Sequence, residues 1–222
     1  MPGKAALITG ATGLVGKELV RLILSEDYYN VIYVLSRREL AIKDNRLKII
    51  LLDDFGQMDF HKDAFNVNDV YCCLGTTMKN AGSKENFRKI DLDYPLQMAK
   101  LAKDQPNFEN YLVVTAVGAH SDSPLFYNKI KGELEDQLEA LDLKSLKIFR
   151  PSLLLGYRDD FRLGEEFAKL ITTFLSFFMI RSKRKLWSIN GRDVARAMFE
   201  VAKKNKPGTS VFLPKHMRKF HA

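Results

Sequence analysis

The sequence predicts an α/β fold, a doubly wound and mostly parallel sheet with helices on both faces. Three observations carry that expectation. The first is the N-terminal order: an apolar run Ala5–Thr9, the turn Gly10-x-x-Gly13-x-x-Gly16, then an amphipathic pattern from Lys17 to Leu24. The second is a sustained alternation of strand-like and helix-like segments along the rest of the chain. The third is size: 222 residues with 46% hydrophobic content can bury one full core. No repeat, low-complexity stretch or Pro/Gly-rich linker divides the chain, so residues 1–222 read as a single domain.

Taken in order, the strand candidates are Ala5–Thr9, Val31–Leu35, Leu47–Leu52, Val70–Leu74, Tyr111–Thr115, Lys147–Phe149 and Ser210–Leu213. Helical patterns fall at Gly16–Ser25, Lys84–Asp104, Leu125–Leu141 and Asp193–Lys204. The alternation stops between Gly156 and Trp187, where an apolar helix-like stretch, Glu165–Ile180, suggests a small C-terminal lid over a substrate pocket. Ligands of such sheets bind at the carboxyl ends of the strands, so the residues that follow each strand carry the functional information.

The first strand end is the most specific. Gly10 suits a tight turn, Gly13 lets backbone approach a pyrophosphate, and Gly16 lets the helix pack close to the strand. The helix N-terminus then offers N–H groups and a positive dipole end, which makes Gly10, Thr12, Gly13, Leu14, Val15 and Gly16 the expected phosphate cradle. The second strand runs into Ser36-Arg37-Arg38. An NAD-selective site has a carboxylate about 20 residues beyond the glycines. Arginines there would instead pair with a 2′-phosphate, so NADP(H) is expected over NAD(H). The third strand ends at Asp54 and Phe55, placed to meet an adenine, where a carboxylate or backbone group would accept from the exocyclic amine. The fourth ends at Leu74, Gly75, Thr76 and Thr77, where glycine allows close approach and the hydroxyls can reach ribose or phosphate.

Composition narrows the rest. The net charge of +8 gathers late, at residues 181–185, 203–206 and 215–219. No nucleic-acid motif accompanies it, so no nucleic-acid partner is expected. An apolar stretch followed by the basic Arg181–Lys185 leaves contact with a membrane surface as a lesser alternative to the lid. Cys72 and Cys73 are adjacent and would point to opposite faces of a strand, which excludes a disulfide framework. Together with the lack of a leader-like N-terminus, this gives a cytoplasmic expectation. The four histidines show no ligand spacing, and no metal site is expected.

The chemistry is expected on the helix after the fifth strand. Ser123-Pro124 resembles an N-cap and first helical residue. Tyr127 and Lys131 are then i and i+4 on one helix face. A cation beside a phenol favours phenolate, which makes Tyr127 a usable proton donor or acceptor near neutral pH. Thr115 closes the preceding strand, where its hydroxyl could hold a substrate carbonyl oxygen.

These residues together resemble the atypical branch of the short-chain dehydrogenase/reductases, in particular the NAD(P)-binding family that includes the Tat-interacting tumour-suppressor protein and its bacterial and fungal relatives. The match runs through GATGLVG (Gly10–Gly16), SRR (Ser36–Arg38), CCLGTT (Cys72–Thr77) and AGSKENFRKIDLDY (Ala81–Tyr94). It continues through VTAVGA (Val114–Ala119), FYNKIKGELE (Phe126–Glu135), RPSLLLG (Arg150–Gly156) and DVARAM (Asp193–Met198). The resemblance implies a Rossmann-type fold with NADP(H), and catalytic roles for Thr115, Tyr127 and Lys131. It also implies that Lys131 bonds the ribose, and that Pro151, Ser152, Leu153 and Leu154 lie beside the nicotinamide. Threonine at the serine position is a departure bearing on substrate preference. The activity implied is an NADP(H)-dependent oxidoreductase acting on a small, unidentified carbonyl or alcohol, in a monomer or homodimer. Two alternatives stay open: an NADP(H)-binding redox sensor with little turnover, and an isomerase or epimerase with tightly held cofactor. Asp91, Asp93 and Tyr94 read most simply as helix packing and surface charge.

Overall fold

The computed structural model describes residues 3–155 and 188–220. The expected lid, residues 156–187, lies outside the described residues.

Seven parallel strands form the main sheet: β1 (Lys4–Thr9), β2 (Tyr29–Ser36), β3 (Leu47–Leu51), β4 (Asp69–Cys72), β5 (Asn110–Val114), β6 (Ser145–Phe149) and β9 (Gly208–Phe212). Their order is β3-β2-β1-β4-β5-β6-β9, which puts the topological switch point between β1 and β4. A second, two-stranded parallel sheet pairs β7 (Leu153–Leu155) with β8 (Ser188–Asn190). Sequence periodicity does not mark those three-residue strands, because so short a run carries no resolvable period.

The strands are apolar on both faces because helices cover both. On one side α1 (Leu14–Leu24) and α6 (Gly191–Lys204) bury Val15, Leu19, Val20 and Ile23 with Val194, Met198 and Val201 against Ile8, Val34 and Leu112. On the other, α4 (Tyr94–Lys103) and α5 (Phe126–Ala140) bury Met98, Ile130 and Leu134 against Leu7, Val70 and Val113. Cys72 belongs to the second core and Cys73 packs on the first, so the adjacent thiols do point to opposite faces, and both are free.

Three elements on the α4/α5 side refine the expected pattern. A 3₁₀ segment, Phe55–Phe65, follows β3. A single helical turn, α2 (Met78–Ala81), follows β4. The long helix expected over Lys84–Asp104 begins as α3 (Lys84–Arg88), passes through a π turn at Lys89–Asp93 and continues as α4. Single π turns inside α-helices re-aim side chains and concentrate at functional positions. This one carries Asp91.

At the amino end of the sheet, remote from the strand carboxyl ends, a buried polar network ties five elements together. Tyr29 donates to Asp69 at 2.5 Å and Asn110 Nδ2 donates to the other Asp69 oxygen at 2.6 Å. Ser145 in turn donates to Asn110 at 2.6 Å, and Asn205 closes the set at 3.1 Å.

Candidate active site

The glycine turn is built by backbone crowding. Gly10 sits at φ +72°, and a Cβ there would fall 2.2 Å from the Cys73 carbonyl oxygen leaving β4. A Cβ on Gly16 would fall 2.2 Å from the Gly10 carbonyl oxygen, so α1 starts directly on the turn. Gly13 caps α1 without a side-chain hydrogen bond, and the first turn holds no acidic residue. The positive helix end therefore faces outward uncompensated. Thr12 and Gly13 are exposed, whereas the Val15 side chain is in the core, so only its backbone N–H is available there.

At the end of β2, Ser36 is buried, and its hydroxyl both donates to the Arg38 carbonyl (2.7 Å) and accepts from Arg38 N–H (3.1 Å). That clasp bends the chain and leaves Arg37 and Arg38 exposed. Neither guanidinium has a partner among the described residues. The end of β3 has partners that the sequence does not show. The Asp54 carboxylate accepts from the Tyr94 hydroxyl at 2.6 Å, from Gly56 N–H at 2.7 Å and from Lys89 at 3.3 Å. These partners, Tyr94 first, hold its carboxyl below the ordinary carboxylate range. It works as a cap and an anchor for α4, and the Phe55 ring is buried against Tyr94. The carboxylate stays half-exposed, so it and the backbone both remain open there to an adenine. At the end of β4, Leu74 is buried, Gly75 is exposed, and the Thr77 hydroxyl caps α2 by accepting from Asn80 N–H at 3.1 Å. Thr76 N–H donates to Asp91 Oδ2 at 2.8 Å.

Asp91 is the residue that sequence reasoning missed. Its second oxygen takes the Lys131 ammonium at 2.8 Å, with side-chain exposures of 3% for the lysine and 1% for the aspartate. The pair joins the loop after β4 to helix α5. Two acidic residues two apart on an amphipathic helix look like surface charge; only the π turn aims Asp91 inward.

Helix α5 starts later than its sequence suggests. Its N-cap is Leu125, and the Ser123 hydroxyl accepts from Leu125 N–H at 3.2 Å, a local turn in place of a cap. Tyr127 and Lys131 still share one face. The Tyr127 ring meets Phe87 edge-on at 5.8 Å. The expected lowering of its ionisation is not what the surroundings produce. Burial pushes the phenol up; Lys131 pulls it down, and Asp91 pushes it up again, for a net rise. Burial is the main cause of that rise, and the Asp91 counter-ion of Lys131 adds to it. Lys131 is itself held above its ordinary value, because Asp91 and Tyr127 together outweigh burial.

Thr115 is buried where β5 and β6 separate. Its N–H donates to the Phe149 carbonyl at 2.8 Å, and its hydroxyl turns to the same oxygen at 3.4 Å. The loop that follows is tied to the end of β6 by Val117 N–H donating to the Pro151 carbonyl at 3.0 Å. Arg150 clamps Glu135 of α5, fixing that helix to the same strand end. Beside this junction the Ser152 hydroxyl is buried without a hydrogen-bond partner among the described residues. Leu154 packs on the α1/α6 core. Among the described residues no group of acidic, histidine or cysteine side chains could hold a metal ion.

Parallel strands in 3-2-1-4-5-6 order, a glycine turn at the switch point and a tyrosine–lysine pair after β5 define a Rossmann-type protein of the short-chain dehydrogenase/reductase kind. Residues 6–135 match the NAD dependent epimerase/dehydratase family, and the chain belongs to it. Rat protein HTATIP2 is 34% identical over 172 residues, covering 76% of this chain and 70% of the relative. The Candida albicans protein FMP52, mitochondrial, is 34% identical over 209 residues, covering 92% and 90%. Among solved structures, a short chain dehydrogenase from Burkholderia cenocepacia in complex with NADP superposes with a TM-score of 0.70 at 13% identity, over 98% of this chain and 90% of that one.

The cytoplasmic expectation does not stand. The fungal relatives, those of Saccharomyces cerevisiae and Eremothecium gossypii included, are named mitochondrial. Two adjacent free cysteines cannot choose between cytosol and mitochondrion.

Proposed function

We propose that this chain is an NADP(H)-dependent oxidoreductase acting on a small carbonyl or alcohol. The observation that carries the reading is the buried Lys131 ammonium beside Tyr127, on the helix that follows β5. The surrounding residues fit a dinucleotide. The α1 end offers uncompensated N–H groups for a diphosphate, and the partnerless Ser152 hydroxyl suits a carboxamide. Arg37 and Arg38, exposed and without a partner among the described residues, suit a 2′-phosphate, and this favours NADP(H) over NAD(H).

In this reading the bound reduced nicotinamide supplies a hydride. Tyr127 donates its hydroxyl proton to the oxygen of the substrate carbonyl, and Lys131 holds that phenol in place and bonds ribose hydroxyls. Thr115 binds the carbonyl oxygen after one rotation about χ1 away from Phe149. Backbone around Pro151, Ser152, Leu153 and Leu154 fixes the carboxamide. Positioned proton transfer of this kind contributes about 10²–10⁴-fold in rate.

A regulator that binds NADP(H) with little turnover is the second reading, favoured by the inward-turned Thr115 hydroxyl. Fluorescence titration with NADPH and NADH, followed by a panel of aldehydes and ketones, separates the two. Tight NADPH binding with oxidation by a panel member is expected. Binding without oxidation by any member moves the assignment to a regulator, and absence of nucleotide binding overturns both.

A further inference from the structure

The Asp91–Lys131 pair has a consequence for the direction in which the site works, and this inference rests on the oxidoreductase reading. In a buried site a lysine beside a tyrosine stabilises phenolate, the form that removes a proton from an alcohol. Here the ammonium is shared. Asp91 Oδ1 lies 2.8 Å from Lys131 Nζ, Oδ2 is anchored by Thr76 N–H at 2.8 Å, and both side chains are sealed from solvent. The carboxylate is thus held on both oxygens and cannot swing away while the loop after β4 keeps its place.

The other charged or titratable neighbours do not change the balance. Cys72 of β4 faces Lys131, but burial pushes its thiol up and keeps it neutral. Phe87 of α3 presents only its ring to Tyr127. Lys84 lies over the adjoining Phe126 ring at 5.5 Å, and Arg88 is spent on Glu133 of α5 at 2.5 Å.

We propose that Asp91 is a positioning residue that cancels the Lys131 charge and keeps Tyr127 in its neutral proton-donating form, so that reduction of aldehydes and ketones runs across neutral pH and oxidation of alcohols needs a higher pH. The balance is complete. A hydride from reduced nicotinamide forms the C–H bond at the carbonyl carbon as the C=O π bond breaks. The Tyr127 hydroxyl proton goes to the resulting oxygen, and the phenolate recovers a proton from solvent.

The test is ultraviolet titration of phenolate in the full chain without nucleotide, taking the difference between each protein and its Tyr127→Phe counterpart. In Asp91→Asn the Tyr127 phenolate is expected to form at least about one pH unit lower than in wild type, because the cation is left to the phenol. Lys131→Met is expected to move it the opposite way, since a bare Asp91 then faces the ring. Asp91→Glu should restore most of the wild-type value. Opposite shifts cannot come from a merely structural defect. Equal titration in wild type and both variants overturns the inference. If Asp91→Asn fails to fold, the Asp91→Asn/Lys131→Met double variant decides: it should titrate below Lys131→Met if Asp91 acts on Tyr127, and equal titration of the two overturns the inference. Since no cofactor enters this measurement, its failure is distinct from loss of NADPH binding or turnover, which would remove the oxidoreductase reading instead. In turnover, Asp91→Asn should move the pH at which kcat/KM for alcohol oxidation rises, and for carbonyl reduction falls, down by a similar amount. Unchanged pH profiles also count against the inference.

Discussion

Tyr127→Phe isolates the chemistry most cleanly, because of what the structure leaves untouched. The substitution removes one oxygen. The ring keeps its edge contact with Phe87, and the hydroxyl makes no hydrogen bond among the described residues, so no partner is stranded. Folding stability should therefore stay within about 0.5 kcal/mol, the range of changes that touch no special feature. In the proposed mechanism the hydroxyl serves the reacting oxygen and not the phosphates, so NADPH affinity should hold within about threefold, roughly 0.7 kcal/mol. Turnover is different. Loss of a positioned proton donor removes about 10²–10⁴-fold, or ~3–5 kcal/mol of barrier lowering. The assay is single-turnover loss of NADPH absorbance with the best aldehyde or ketone of the panel, beside a thermal melt and a fluorescence titration of the same preparation. Equal turnover in mutant and wild type would refute the role of Tyr127. A collapse of NADPH affinity would refute the placement of its hydroxyl away from the cofactor phosphates.

Three further outcomes follow from the same geometry. Replacing Arg37 and Arg38 together with alanine should weaken NADPH by about tenfold or more, from loss of charge-assisted hydrogen bonds, and leave NADH affinity and the melt unchanged; equal weakening of both nucleotides would show that these arginines do not read the 2′-phosphate. Gly16→Ala places a methyl 2.2 Å from a backbone carbonyl oxygen that cannot rotate aside. It should cost about 1–3 kcal/mol in urea unfolding and abolish nucleotide binding; a wild-type titration curve would refute the turn's role. Asp69 is pushed up from 3.8 to about 6, burial outweighing its hydrogen bonds from Tyr29 and Asn110. A raised folded value means stability that is full below the ordinary carboxylate range and lost as pH rises through about 6. Wild type should thus lose about 3 kcal/mol between roughly pH 4 and 7, and Asp69→Asn should flatten that slope. Melting temperatures across that range test it, and parallel curves for the two proteins would rule it out.

Much of the fold was legible because it rests on short-range pattern. The glycine turn, the strand–helix alternation and the opposite facing of Cys72 and Cys73 all follow from backbone sterics and side-chain period within a few residues. The exposed positions of Thr12, Gly13, Arg37 and Arg38 were legible for the same reason: a strand end places its next residues without help from the rest of the chain. What local pattern does not show lies where partners are distant. The turn at Asp54 gives no sign that its carboxylate also accepts from Tyr94, forty residues on. The Ser123 cap looked sound by spacing, but the helix begins only where the loop after β5 has come to rest.

The sequence alone determined that a dinucleotide-fold sheet forms, where its glycine turn lies, and which tyrosine and lysine share a helix face. Those are consequences of local sterics and of the helical repeat. Only the tertiary structure decided what surrounds that tyrosine. It buries the phenol and brings in Asp91, forty residues before Lys131, turned inward by a π turn and paired with that lysine away from water. Electrostatics inside a protein depends on which charges are brought within a few ångströms in a dry place, and no linear spacing encodes that distance.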